Sequence, residues 1–144
     1  MIPITSTASR DAVLPPSQGR SRTPRILIVD DDDLILSSLR TLFDLETDYE
    51  LHVESNPSRA AALLSSEDFD VVISDFLMPE IDGIRLLETA ARLQPRATRI
   101  LLTGCAEGRR TRTALRDLDA CRMEKPWSNR DLLQLVASSL DKKV

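Results

Sequence analysis

Histidine, cysteine and glycine are all scarce in this chain. Its 144 residues include one histidine, His52, and two cysteines, Cys105 and Cys121, which form no C-x-x-C pair. A disulfide scaffold, a zinc finger and a histidine-rich metal site are thereby excluded, and lone thiols suit a reducing cytosol. Of the four glycines, none falls in a G-x-G-x-x-G or P-loop pattern, so a nucleotide-binding reading has no support. No apolar run approaches the length of a membrane span. The N-terminus lacks the apolar core of a signal peptide, its longest apolar run being Ala12 to Leu14, so the protein is expected in the cytoplasm. What remains is ordinary for one globular domain: 42% hydrophobic and 29% charged residues, in a chain long enough to bury a core without staples.

The net charge of −4 conceals an asymmetry. Residues 30–82 carry −13, with Arg40 and Arg59 their only bases, whereas residues 83–144 carry +6. An acidic chain is a poor partner for nucleic acid, because phosphate contacts need clustered Lys and Arg. The acidic half suggests a cation site, and the basic half a contact face.

Residues 1–24, rich in Ser, Thr, Pro and Arg, read as a disordered arm before a domain at residues 25–141. Five short apolar runs follow: Ile26–Val29, Leu51–Val53, Val71–Ile73, Ile100–Leu102 and a weaker Cys121–Met123. Their starts lie 20 to 29 residues apart, which leaves room for a helix and two loops between neighbours. Between and after them, helical spacing marks Leu34, Leu39, Leu42 and Leu45; Ala60, Leu63 and Leu64; Ile84, Leu87, Ala91 and Leu93; and Leu132, Leu133, Val136 and Leu140. Ser128 is placed to cap the last of these, and a less apolar helix is expected over residues 109–118. Continuous Ile/Val/Leu strands alternating with helices predict an α/β fold, a doubly wound five-stranded parallel sheet with helices on both faces.

In such sheets the site lies at the carboxyl ends of the strands. There the first run is followed by Asp30-Asp31-Asp32-Asp33, the third by Ser74-Asp75, the fourth by Thr103-Gly104 and the fifth by Lys125-Pro126. Converged, Asp30, Asp31 and Asp75 offer hard oxygen ligands of the kind Mg²⁺ prefers. A carboxylate can attack phosphorus to give an acyl phosphate, while the Thr103 hydroxyl and Lys125 ammonium bind the remaining phosphoryl oxygens. Asp32 and Asp33 are read as helix-capping acids.

The segments ILIVDDDDLIL, DVVISDFLMPEIDG, ILLTG and EKP, in this order, resemble the receiver domain of two-component response regulators, of the chemotaxis-receiver kind. The resemblance runs from Arg25 to about Leu140. It implies the flavodoxin-like strand order 2-1-3-4-5 and a cis bond between Lys125 and Pro126. It makes Asp75 the phosphoacceptor and gives Mg²⁺ to Asp30, Asp31 and the backbone carbonyl of Leu77, with Asp31 a direct ligand. Thr103 becomes the switch hydroxyl, and Lys125 the contact to the phosphoryl group. A histidine kinase or phosphotransfer protein would supply the phosphoryl group and an output protein would read it, with no enzymatic turnover of other substrates. The resemblance also allows a homodimer through the face made by the fourth helix, fifth strand and fifth helix.

Two rivals stand beside this reading: a degenerate receiver acting as a binding module, and a haloacid-dehalogenase-type phosphatase with Asp30 as nucleophile. Three positions depart from the receiver pattern. Arg122 stands where an aromatic switch residue is usual, and Leu77 and Cys105 stand where polar side chains often tune dephosphorylation. The Leu77–Cys105 pair predicts a long-lived acyl phosphate. A guanidinium is costly in an apolar slot, so Arg122 is expected to point outward or to pair with Glu124 or Asp119. With Arg109, Arg110, Arg112, Arg116 and Arg130 it would form a basic output face. Cys105 and Cys121 otherwise read as small hydrophobes, Trp127 as a packing residue, and His52 as a residue of a polar strand face.

Overall fold

The computed structural model describes residues 22–104 and 108–141. Its elements alternate: β1 (Arg25–Val29), α1 (Asp33–Glu46), β2 (Glu50–Glu54), α2 (Pro57–Ser66), β3 (Val71–Asp75), α3 (Gly83–Leu93), β4 (Thr98–Thr103), α4 (Arg109–Asp117), β5 (Cys121–Glu124) and α5 (Asn129–Asp141). The strands form one parallel sheet in the order β2-β1-β3-β4-β5. This is the flavodoxin-like doubly wound order that the resemblance implied.

Central and edge strands differ as their positions require. Ile26 to Val29, Val71 to Ile73 and Ile100 to Leu102 have no solvent exposure, because helices cover both faces of β1, β3 and β4. The edge strands β2 and β5 instead mix apolar with charged side chains, as in Cys121-Arg122-Met123-Glu124. Strand alternation divides the core in two. Ile26, Ile28 and Ile73 meet α1 and α5 on one face, and Leu27, Val29 and Leu101 meet α2, α3 and α4 on the other.

Three helices begin on acceptors that the sequence places for them. The Asp32 carboxylate accepts from the Leu34 and Ile35 N–H groups, Asn56 from Ser58 and Arg59, and Asp82 from Arg85. Ser128 Oγ accepts from Asp131 N–H at 3.1 Å, in keeping with its expected capping role. Trp127 packs against the α1–α5 side of the core.

Two helix faces differ from the sequence expectation. On α1 the buried line is Leu36, Leu39 and Phe43, whereas Leu34 and Leu45 are 80% and 76% exposed. The helix carries two apolar stripes, and the one that includes the large Phe43 faces the sheet. On α3 the buried residues are Gly83, Leu86, Leu87 and Ala90, with Leu93 exposed. Small residues there let the helix approach β3 and β4. Arg99, which the apolar run at Ile100 left outside the fourth strand, is inside it and buried. Its guanidinium donates to the carbonyls of Leu118 (2.8 and 3.0 Å), Ala97 (2.9 Å) and Pro95 (3.2 Å), so it ties the end of α4 to the entry of β4.

Of the expected N-terminal arm, residues 1–21 lie outside the described residues. Arg22 pairs with Asp70 at 3.0 Å, and the Pro24 carbonyl accepts from Glu50 N–H. His52 lies half-buried on β2, beside Glu50 and Arg25 and edge-on to Phe69. No helix among the described residues is long and apolar enough to cross a membrane.

A close approach lies under the end of β3. A Cβ on Gly83 would sit 2.2 Å from the Asp75 carbonyl oxygen and 2.7 Å from Leu101 Cδ1. The first of these is backbone of a central strand and cannot swing aside. Gly83→Ala is therefore expected to lower stability by about 2 kcal/mol or more in urea unfolding, with amide shifts at Asp75 and Phe76. A neutral effect would mean that α3 can slide along the sheet at no cost.

Candidate functional site

Because β1, β3 and β4 are parallel neighbours, their C-terminal residues come out side by side. Asp75 pairs in register with Leu102, so Thr103 stands one residue beyond it on the adjacent strand, and Thr103 pairs with Glu124 just before Lys125. The Lys125 N–H donates to the Thr103 carbonyl at 2.7 Å, and the Lys125–Pro126 bond is cis. Thus Asp30, Asp31, Asp75, Thr103 and Lys125, singled out in the sequence, end on one edge.

Asp30, Asp31 and Asp75 each offer a carboxylate oxygen within 4.8 Å of the others. Lys125 Nζ donates to Asp75 Oδ1 at 2.8 Å and lies 3.8 Å from Asp30 Oδ2. Asp75 Oδ1 also accepts from the Phe76 N–H at 2.9 Å. Thr103 is fully buried, Asp75 nearly so, and Asp31 exposed at the mouth. The backbone of Asp75 is pinned as well, since Ser74 Oγ donates to its carbonyl at 2.9 Å and Gly83 lies against that same oxygen. The following loop is closed by Gly83 N–H donating to the Phe76 carbonyl at 2.8 Å.

Asp30 is the unusual member. It has no exposure; Oδ1 accepts from the Asp32 N–H at 2.9 Å, and Oδ2 is buried with no hydrogen-bond partner. Burial pushes its carboxyl up to about 6 and the Asp75 and Asp31 charges push the same way, whereas the Asp32 N–H and Lys125 pull it back. An orphaned anionic oxygen facing two more carboxylates is a donor set that fits a small, hard divalent cation. Asp30, Asp31 and Asp75 are the residues that could hold one.

The remaining expected residues are spread around this cluster. The Leu77 side chain is 67% exposed in the loop after β3. Arg122 points to solvent on β5 and donates to Glu124 Oε2 at 2.8 Å, one of the pairings its sequence position allowed. Arg109 and Arg110 are exposed in the first turn of α4. Cys105 lies outside the described residues. Ser74 and Gly83 were quoted in the motif around Asp75 without a role; the D-G pair opening a helix was the available signal for Gly83.

A family model for the response regulator receiver domain matches residues 26–137. The chain belongs to this family. It is similar to the CheY-like receiver domain protein of Methanospirillum hungatei JF-1, with a TM-score of 0.80 and 32% identity over 85% of this chain and 97% of that one. A signal receiver domain of an HD domain-containing protein from Pseudomonas fluorescens Pf-5 gives 0.78 and 34%, over 85% and 98%. Regulatory protein AtoC of Escherichia coli (strain K12) is 40% identical over 64% of this chain, and the match spans 20% of AtoC. The receiver protein CpdR of Brucella abortus (strain 2308) is 28% identical over 81% of this chain and 96% of its own length. Family membership removes the phosphatase alternative, and the receiver is a signalling module.

The buried Asp30 makes a pH prediction. Its carboxyl titrates near 3.8 when unfolded and near 6 when folded. Between those values the folded chain keeps a proton that the unfolded chain has lost, so this group makes stability fall as pH rises from about 4 to about 6. In chelator-treated protein, Asp30→Asn should gain on the wild type by up to about 3 kcal/mol between pH 4 and pH 7.5 in urea unfolding. Parallel stability curves for the two proteins would show that Asp30 ionises without cost.

Proposed function

We propose that this receiver accepts a phosphoryl group on Asp75 from the phosphohistidine of a histidine kinase or phosphotransfer protein, with Mg²⁺ bound, in the cytoplasm. The observation that carries the reading is the Lys125 ammonium at 2.8 Å from Asp75 Oδ1, beside three carboxylates within 4.8 Å. Mg²⁺ held by Asp30, Asp31, Asp75 and the Leu77 carbonyl would neutralise the carboxylates and the phosphoryl oxygens.

The chain's own groups then have distinct work. A carboxylate oxygen of Asp75 forms a bond to phosphorus as the phosphorus–nitrogen bond of the donor breaks, and the electron pair stays on the imidazole. Lys125, 2.8 Å from Asp75 Oδ1, meets the charge of the incoming group. The buried Thr103 hydroxyl, one register step beyond Asp75, donates to a phosphoryl oxygen and shifts the end of β4. Ser74 and Gly83 hold the Asp75 backbone, so the nucleophile is positioned before the donor arrives. An output protein reads the resulting surface.

Radiolabel transfer from a phosphorylated kinase should require Mg²⁺ and be abolished in Asp75→Asn. Asp31→Asn should weaken Mg²⁺ binding at least about tenfold by calorimetry, because a charged ligand becomes neutral. Label retained in Asp75→Asn would overturn the assignment of the phosphoacceptor.

Hydrolysis of the acyl phosphate needs a water aligned behind phosphorus, and Leu77 supplies no polar atom from its side chain to hold one. Slow autodephosphorylation is expected, with Leu77→Asn together with Cys105→Glu faster than wild type in a label-loss assay. Equal rates would mean that these two side chains do not control the lifetime.

A further inference from the structure

At the amino ends of the strands, on the edge of the sheet opposite the carboxylate cluster, Arg25 holds three parts of the chain together. Its Nε donates to Glu50 Oε2 at 3.2 Å and its Nη1 to the Asp68 carbonyl at 2.9 Å, while Nη2 meets both Glu67 and His52 Nε2, the latter at 2.9 Å. The guanidinium carbon also stands 5.1 Å from the centre of the Phe69 ring, which the His52 ring meets edge-on. One side chain thus ties together β1, the edge strand β2 and the connection from α2 to β3. A guanidinium offers donors only, so Arg25 can bond His52 only where Nε2 is bare. Yet the same Nε2 lies 3.2 Å from Glu50 Oε2, which only an Nε2–H can bond. One nitrogen therefore faces two partners that demand opposite protonation states.

We propose that His52 is a proton-operated clasp on the edge strand: neutral, it ties β2 to β1 through Arg25, and protonated, it turns to Glu50 and releases that tie. Imidazole is the side chain whose charge ordinarily changes between about pH 5 and about pH 8. This ring is 30% exposed, so solvent can deliver the proton. Once the proton occupies Nε2, the bond from Arg25 is lost and two cations stand side by side. Arg25 faces both Glu50 and Glu67, so a second cation balances the charge of the cluster. The bond from His52, and then Arg25, hold the Glu50 carboxyl below its ordinary value against some desolvation, which keeps it an anion for the ring to meet. Arg25 retains Glu67 and the Asp68 carbonyl, and His52 pairs with Glu50 inside β2. The other charged groups around the ring have partners of their own. Glu54, next on this face of β2, pairs with Arg59 of α2, and Asp70 accepts from Arg22 and from the Arg25 N–H. Leu51 and Val53 turn to the opposite face, where α1 packs.

The test is amide hydrogen exchange by NMR on the full chain at about pH 7.5 and about pH 5, with protection taken against the intrinsic rate at each pH and the His52 charge state followed by its ring nitrogen shifts. The Glu50 N–H, bonded to the Pro24 carbonyl at 2.9 Å, reports the tie between β2 and the entry of β1. The Asp70 N–H, bonded to the Arg25 carbonyl at 2.8 Å, reports the side that Arg25 keeps. Glu50 protection should fall at least about fivefold as His52 takes up its proton, while Asp70 stays within about twofold. His52→Gln, which retains an acceptor for Arg25 but binds no proton, should show no such fall. Arg25→Lys, a point charge in place of the fork, should show low Glu50 protection at both pH values. The Asp30 carboxyl, pushed up to about 6, titrates over the same range at the other edge of the sheet, and its contribution persists in His52→Gln. An equal fall in His52→Gln, an equal fall at Asp70, an unchanged Glu50 amide in the wild type, or a His52 that keeps one charge state throughout would overturn the proposal.

Discussion

At the carboxyl edge of the sheet, Asp30 Oδ2 is buried without a hydrogen bond, and two further carboxylates lie within 4.8 Å. Such an oxygen is expensive to keep ionised, and its environment is built from the few things that lower the cost. One is the Asp32 N–H, available because the chain turns into α1 immediately after β1. Another is Lys125, delivered from the far side of the sheet by β5. Neither removes the mismatch, and the carboxyl remains displaced to about 6. A divalent cation would complete the set, and the conditions that would hold the site together in the ionised state are also those for receiving a phosphoryl group.

Charge is only half of this arrangement; the other half is backbone. Asp75 ends the central strand, and its carbonyl is fixed by Ser74 Oγ above a helix that begins with a residue lacking a Cβ. The site therefore depends on packing one layer below it. A side chain at position 83 would disturb Asp75 without touching a single charged group. The parallel sheet makes that economy possible, since register alone sets Asp75, Thr103 and Lys125 in neighbouring positions.

Strands and site were legible in the sequence for the same reason. A strand buried on both faces must be apolar throughout, so the polar residue that ends it is conspicuous, and Asp30, Asp75 and Thr103 each follow such a run. The helices were less legible. Leu34 and Leu45 have the spacing of a core stripe on α1, yet the sheet takes Leu36, Leu39 and Phe43, and nothing local distinguishes two apolar stripes on one helix. Arg99 was hidden because its burial depends on carbonyls 19 residues away and at the turn before β4. Gly83 was in view, but its role is a distance to another strand, which spacing does not encode.

Arg122 shows how far a local argument can reach. An arginine in place of an aromatic residue cannot enter an apolar slot without a partner, and in the fold it stays at the surface with Glu124 at 2.8 Å. Glu124 pairs in register with Thr103 and precedes Lys125, so the surface ion pair and the buried hydroxyl occupy adjacent strands at the same height. A movement of Thr103 toward a phosphoryl group would act on β5 through the hydrogen bond from the Lys125 N–H to its carbonyl. Its effect on Arg122 would then be to realign an exposed ion pair rather than to bury a ring. An exposed pair is weak and screened by salt, so little energy opposes its rearrangement. A signal passed outward along this path would be carried by where charges stand on β5, and not by the filling of a hydrophobic cavity.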